Sequence, residues 1–185
     1  MMTRKSITLT GIGVLLLAGC SASVSIADSS NTVEVAKKPV VQATSSFNTS
    51  GLVKQAKISR NTVKMNKVVK YLKTRVQKTS YVFSGSSPYG WDCSGMVRWA
   101  YARFGLDIPH SANKQGHIGT RVSNPKLGDI VVFAYKNSTN FYHSAIYIGN
   151  NKIVHANQAR KTTVIEPLSN YKNSQIRFVR LVQTD

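Results

Sequence analysis

A chain of 185 residues with 25 Lys and Arg against 7 Asp and Glu carries a formal charge of +18. That length suits one domain with appendages and a single hydrophobic core. The charge favours anionic partners, but no zinc-finger spacing, no aromatic motif of an RNA-binding sheet and no basic region feeding heptads occurs, so nucleic acid is not expected.

Residues 1–27 read as an export signal: Arg4 and Lys5 give a positive start, and Ile7 to Ala18 is a mostly apolar run too short to span a bilayer comfortably. Leu17-Ala18-Gly19-Cys20 resembles the bacterial lipoprotein box, in which the cysteine receives lipid and becomes the mature N-terminus. Cys20 is then the lipid attachment site, and the protein is exported and anchored to membrane, facing the cell wall. The alternative is cleavage after Ala27, with Ser25 and Ala27 as the small residues at the minus-three and minus-one positions, which would secrete a soluble protein. Either route consumes Cys20. Cys93 is left without an intramolecular partner, which flags a reactive thiol or an intermolecular bridge.

Residues 28–56 are rich in Ser, Thr, Asn and Val without sustained period and read as a flexible linker. The domain is expected over 57–185. From Asn61 onward, Met65, Val68, Val69, Leu72 and Val76 recur at three- and four-residue steps, flanked by Lys64, Lys67, Lys70 and Lys73, and predict an amphipathic basic helix. Such a stripe commonly covers a core, although its basic face could meet a membrane. "YVFSGSSPYGW" then marks a close-approaching loop by its Gly, Ser and Pro content. The next helix sets Cys93, Met96, Val97, Ala100, Tyr101 and Phe104 on one face, and Gly105 ends it. "DIVVFAY", "HSAIYIG", "KIVHA", "TTVIEP" and "IRFVRLV" are short, β-branched and separated by turn residues, as antiparallel strands are. Helices followed by a sheet make the fold class α+β.

Asp92 is a good N-cap, so Cys93 is expected at the first helical position, where unpaired N–H groups and the helix dipole favour thiolate. His143 and His155 fall on two neighbouring strands. If the loop between them is the three residues Gly149 to Asn151, Ala145 faces His155 and His143 is its diagonal neighbour on the same face, whereas a two-residue loop would oppose them. With the former, His143 could contact Cys93 through one ring nitrogen while His155 orients it through the other, the logic of thiol hydrolases. Taken singly, a cysteine on an apolar helix face or a histidine on a strand is commonly a core residue. Zinc binding by the same three groups fits no familiar ligand spacing, so no metal is expected.

In this order and spacing, "DCSGMV", "IPHSANKQ", "LGDIVVF", "HSAIYIGNNKIVHA" and Tyr81 resemble the NlpC-type cysteine peptidases of bacterial cell walls, over about residues 65 to 183. The resemblance implies a papain-like fold, permuted relative to papain. It also implies hydrolysis of peptidoglycan stem peptides at the bond between γ-D-glutamyl and the following diamino acid, without a cofactor. It assigns Cys93 as nucleophile, His143 as general base, His155 as its orienter and Tyr81 as a partner of the Cys93 N–H at the oxyanion. Asp92 and Ser94 match positions lining the substrate pocket in some relatives, where the acid can receive the stem peptide's free amine, and Ser111 falls among the substrate contacts. Ser84-Gly85 stands where many relatives have paired glycines, and His110 where arginine is common. The partners implied are peptidoglycan stem peptides, with anionic wall polymers for the basic helix, and nothing demands more than a monomer. An amidase or acyltransferase on the same fold, or a noncatalytic basic wall-binding module, are the alternatives.

Overall fold

The computed structural model describes residues 49–185; the expected export signal, Cys20 and most of the expected linker lie outside the described residues. Helix α1 (Thr49–Thr74) buries Met65, Val68, Val69 and Leu72, the anticipated stripe. It starts well before Asn61 and takes in the end of the stretch read as linker. Residues 49–56 contain no proline and include the helix formers Leu52, Lys54, Gln55 and Ala56, so they can be helical with Leu52 and Val53 exposed. They lacked a signal because they bury no face. The chain end is tied to this helix: Asn61 Nδ2 donates to the Gln183 carbonyl at 3.1 Å, and the Asp185 N–H to Thr62 Oγ1 at 2.9 Å.

Two short strands, β1 (Ser86–Ser87) and β2 (Gly90–Trp91), form a hairpin that leads into α2 (Cys93–Ala102). Gly105, at φ +73°, stops the chain after α2 in the left-handed region where glycine carries no Cβ penalty. A single-turn helix α3 (Ala112–Gln115) and strands β3 (Thr120–Val122), β4 (Ile130–Tyr135), β5 (Phe141–Tyr147), β6 (Lys152–Asn157), β7 (Thr162–Pro167) and β8 (Ser174–Arg180) follow, with a 3-10 turn at Leu168–Tyr171. The sheet order is β3-β8-β4-β5-β6-β7, antiparallel throughout. The five anticipated strands correspond to β4 through β8. The hairpin, α3 and β3 are too short to carry a period.

Both faces of the sheet are covered. Ile130, Val132, Ala134, Ile146, Val154 and Ala156 join the main core with the apolar stripes of α1 and α2. Val131, Phe133, Ala145, Tyr147 and Ile153 form a second cluster under Leu168, Tyr171, Ile176 and Phe178. Two covered faces explain why "IVVFA" is apolar at every position instead of alternating.

The β5–β6 turn has the three-residue form. Ile146 pairs with Val154 and Tyr147 with Ile153, and the Ile148 N–H donates to the Lys152 carbonyl at 2.9 Å. Gly149, Asn150 and Asn151 all take positive φ, which glycine and asparagine tolerate best. This register turns His143 and His155 to the same side of the ribbon. The β5–β6 pairing ends at Ile146 and Val154, whereas β5 stays paired to β4 as far as Phe141 and β6 to β7 as far as Asn157. The two strands therefore part next to the histidines, and α2 contacts both of them.

Candidate active site

The start of α2 is built around Asp92. Its backbone is extended (φ −89°, ψ −177°), as an N-cap requires, and its Oδ1 accepts the Gly95 N–H at 2.7 Å. The same oxygen meets the Ser94 hydroxyl at 3.1 Å and His110 Nε2 at 2.9 Å, while Oδ2 accepts the Ser84 N–H at 3.0 Å. Gln115, fully buried, donates its Nε2 to the carbonyls of Ser94 at 2.9 Å and Pro109 at 2.8 Å. The first turn of α2 is thereby fastened to the loops on either side, and Cys93 projects from a rigid base.

The half-buried Cys93 has a thiol raised above its ordinary value: burial is the largest cause, and the Asp92 carboxylate adds to it. Backbone N–H groups of Ser144, Ser94 and Cys93 itself act the other way. The expectation that the helix start alone would favour thiolate is therefore corrected. Desolvation of an anion outweighs the donors that the helix end and β5 supply. His143 shows the matching effect, its imidazole lowered to about 3 by burial and then by His155. Thiol and imidazole rest neutral.

His143 Nε2 lies 2.9 Å from His155 Nδ1. The other ring nitrogen of His155 lies 3.1 Å from Glu166 Oε2 on β7, and the Tyr171 hydroxyl donates to that same oxygen at 2.9 Å. Arg160 reaches Glu166 Oε1 at 3.2 Å. His155 and Glu166 are almost wholly buried. Neither Glu166 nor Tyr171 stood out in the sequence; the available signal was an acidic residue inside the apolar strand "TTVIEP", in a chain with few acids.

Cys93, His143, His155 and Tyr81 line one cleft of about 460 Å³, together with Tyr142 and Tyr171. Tyr81 is held by its N–H, which donates to the Lys161 carbonyl at 2.9 Å, and its hydroxyl is raised by burial first and then by Cys93 and Asp92. A second cleft of about 510 Å³ shares Tyr81, Cys93, Tyr142 and Gln158 with the first, and Asp92, Ser94, His110 and Ser111 line it. Together they make a groove passing on both sides of Cys93, each part within the ordinary size range of ligand sites. Within the groove Asp92 already takes four hydrogen bonds, Ser94 gives its hydroxyl to Asp92, and Ser111 caps α3 by accepting the Lys114 N–H at 3.4 Å. Among the described residues no group of three or more His, Cys, Asp or Glu is placed to hold a metal ion.

The NlpC/P60 family model matches residues 78–180, more than half of the chain. A Bacillus cereus protein named gamma-D-glutamyl-L-lysine dipeptidyl-peptidase is 33% identical over 92 residues, covering 48% of this chain and 28% of its own length. The chain thus spans little more than a quarter of that relative. A Haemophilus influenzae protein described as a probable endopeptidase NlpC homolog is 24% identical over 169 residues, 88% of this chain and 90% of that one. Among solved structures, the NlpC/p60 domain of the peptidoglycan hydrolase SagA superposes with a TM-score of 0.54 at 27% identity, over 63% of this chain and 98% of that domain. The helix that begins at Cys93, packed on an antiparallel sheet, is the papain-like α+β arrangement, and with the extent of the family match it establishes that this chain is a member of the NlpC/P60 family.

Proposed function

We propose that this protein is a peptidoglycan endopeptidase that cleaves stem peptides after the γ-D-glutamyl residue, with Cys93 as nucleophile, His143 as general base and His155 as its orienter. One observation carries the reading: a thiol at a helix start and two imidazoles 2.9 Å apart share one cleft in the middle of an open groove. The name of the Bacillus cereus relative supports the γ-D-glutamyl bond.

Because thiol and imidazole rest neutral, His143 takes the Cys93 proton as sulfur attacks the carbonyl carbon. The Cys93 N–H and the Tyr81 hydroxyl receive the oxyanion. The tetrahedral adduct collapses as His143 returns the proton to the leaving amine, and a thioester remains. Water then attacks as His143 accepts its proton, and the C–S bond breaks to free the carboxylic acid while His143 passes that proton to the departing sulfur, regenerating the thiol and the neutral imidazole. The cleft bearing Asp92, Ser94 and Ser111 holds the γ-glutamyl side of the stem; there a free amine of the substrate competes with His110 for the Asp92 carboxylate.

Every third or fourth residue from Lys54 to Lys73 of α1 is Lys or Arg, and none of them forms an ion pair among the described residues. This face meets anionic wall polymers, with export and lipid attachment at Cys20 keeping the domain at the wall. Digestion of purified walls followed by mass spectrometry of the muropeptides tests the reaction. Wild type should release fragments with new γ-D-glutamyl carboxyl ends and Cys93→Ala should release none; stems freed whole from glycan would assign an amidase instead.

A further inference from the structure

The two catalytic imidazoles do not end the chain of hydrogen bonds at the site. Glu166 lies behind His155, on the face that β6 shares with β7, where Ile153 pairs with Glu166 and His155 with Val164. Three donors converge on its carboxylate: the Tyr171 hydroxyl and His155 Nε2 at Oε2, and the Arg160 guanidinium at Oε1. An ionised carboxylate only accepts hydrogen bonds. The Tyr171 hydroxyl, also 3.3 Å from His155 Nε2, gives its one proton to Oε2 and can only accept from the ring, so His155 Nε2 carries a proton. A neutral imidazole has one N–H and one bare nitrogen, so His155 Nδ1 is bare and can only accept. Its partner 2.9 Å away, His143 Nε2, must therefore be the donor, and the bare nitrogen of His143 is Nδ1. Burial disfavours the charged form of both rings.

We infer that Glu166 is a positioning residue that sets the tautomer of His143 through His155, leaving His143 Nδ1 as the proton acceptor for the Cys93 thiol. The assignment rests on the reading of Cys93 and His143 as nucleophile and base. The opposite tautomer, with both Nδ1 atoms protonated, would satisfy the hydrogen bond between the rings equally well and would present an N–H to sulfur, unable to take its proton. The ring–ring contact alone cannot choose between these two states. The carboxylate can. Tyr171 and Arg160 act one step further out by supplying two donors that match the ionised form of Glu166 and fix its orientation.

Full-length protein labelled with 15N-histidine reads the tautomers directly by two-bond 1H–15N correlation at pH 7. In wild type both rings should show a protonated Nε2 and a bare Nδ1. In Glu166→Gln, Arg160 retains the amide oxygen and the amide NH2 turns to His155 Nε2, so both rings should move to the Nδ1–H form. On a soluble muropeptide, kcat should fall by up to about 10⁴-fold with KM within about twofold, the pattern of a base held in the wrong tautomer. A wild-type spectrum with the proton on Nδ1 of either ring overturns the assignment, whether or not the variant folds. Unchanged tautomers in a folded Glu166→Gln protein overturn it too. Expected tautomers in a wild type that cleaves no wall peptide would sink the proposed reaction and leave the role of Glu166 standing.

Discussion

His143 and His155 meet edge to face, with ring centroids 4.9 Å apart and planes at 82°, so that Nε2 of one points at Nδ1 of the other. This contact fixes the orientation of the His143 ring in the cleft that both imidazoles line with Cys93. Replacing His155 with alanine should cost about 10⁴-fold in kcat, as loss of an orienting group does. It should also cost about 1–3 kcal/mol of stability, because the buried Glu166 loses a donor. Muropeptide kinetics and urea melts read the two effects separately. A variant of normal activity would show that His143 needs no orienter.

The same burial makes stability depend on pH with a defined sign. His143 is lowered to about 3 in the folded protein, by burial and by His155, against about 6.5 unfolded. Between these values the unfolded chain binds a proton that the folded chain refuses, so protonation favours unfolding. The stabilising contribution is complete above about pH 6.5 and is lost as pH falls toward 3, at up to about 1.4 kcal/mol per pH unit. His155, lowered by burial first and supported by Glu166 in the opposite sense, adds in the same direction. Urea midpoints from pH 7.5 to 4.5 should fall in wild type and fall less in His143→Gln. Parallel curves would place the titrating group elsewhere.

Much of this site is legible without coordinates because it depends on local rules. The position of Cys93 follows from an Asp cap and a 3.6-residue stripe, and the common side of the two histidines from the turn chemistry of Gly149-Asn150-Asn151. What escapes is what tertiary packing decides. Glu166 looks like a solvated strand residue until β7 pairs with β6 and the turn at Leu168–Tyr171 folds over it. The thiol of Cys93 looks activated by its helix until the surrounding chain desolvates it. The early start of α1 buries nothing, so no hydrophobic period announces it.

Gly95 tests how tightly the loop and helix are fitted. In a helix interior, alanine is favoured over glycine by about 1 kcal/mol. Here a Cβ would overlap the Gly85 carbonyl oxygen and approach His110 Nε2 to 2.8 Å. The histidine could yield, but the backbone carbonyl cannot without moving the loop, and that carbonyl also accepts the Asp92 N–H at 3.0 Å. Overpacking of this kind costs about 1–3 kcal/mol and outweighs the propensity gain. Gly95→Ala should therefore lower both the urea midpoint and the rate of Cys93 alkylation or acylation. A stabilised, fully active variant would mean that the loop is free to shift.

Asp129 offers the last test, away from the chemistry. It is buried at the entry to β4, where Arg180 of β8 donates Nε to Oδ1 at 2.9 Å and Nη2 to Oδ2 at 2.7 Å, and the Lys126 N–H reaches Oδ2 at 2.7 Å. The neighbouring Gly128 carbonyl accepts the Tyr101 hydroxyl at 2.8 Å, so one short turn joins α2, β4 and β8. Removing only one partner of such a pair leaves an uncompensated charge and costs about 3–5 kcal/mol, whereas removing both with apolar groups of similar volume is often close to neutral. Asp129→Leu and Arg180→Met should each lower the urea midpoint strongly, and the double variant should be more stable than Asp129→Leu alone. If the two losses simply add, the pair acts as separate hydrogen-bonding groups and its ionic character contributes nothing to the hold between β4 and β8.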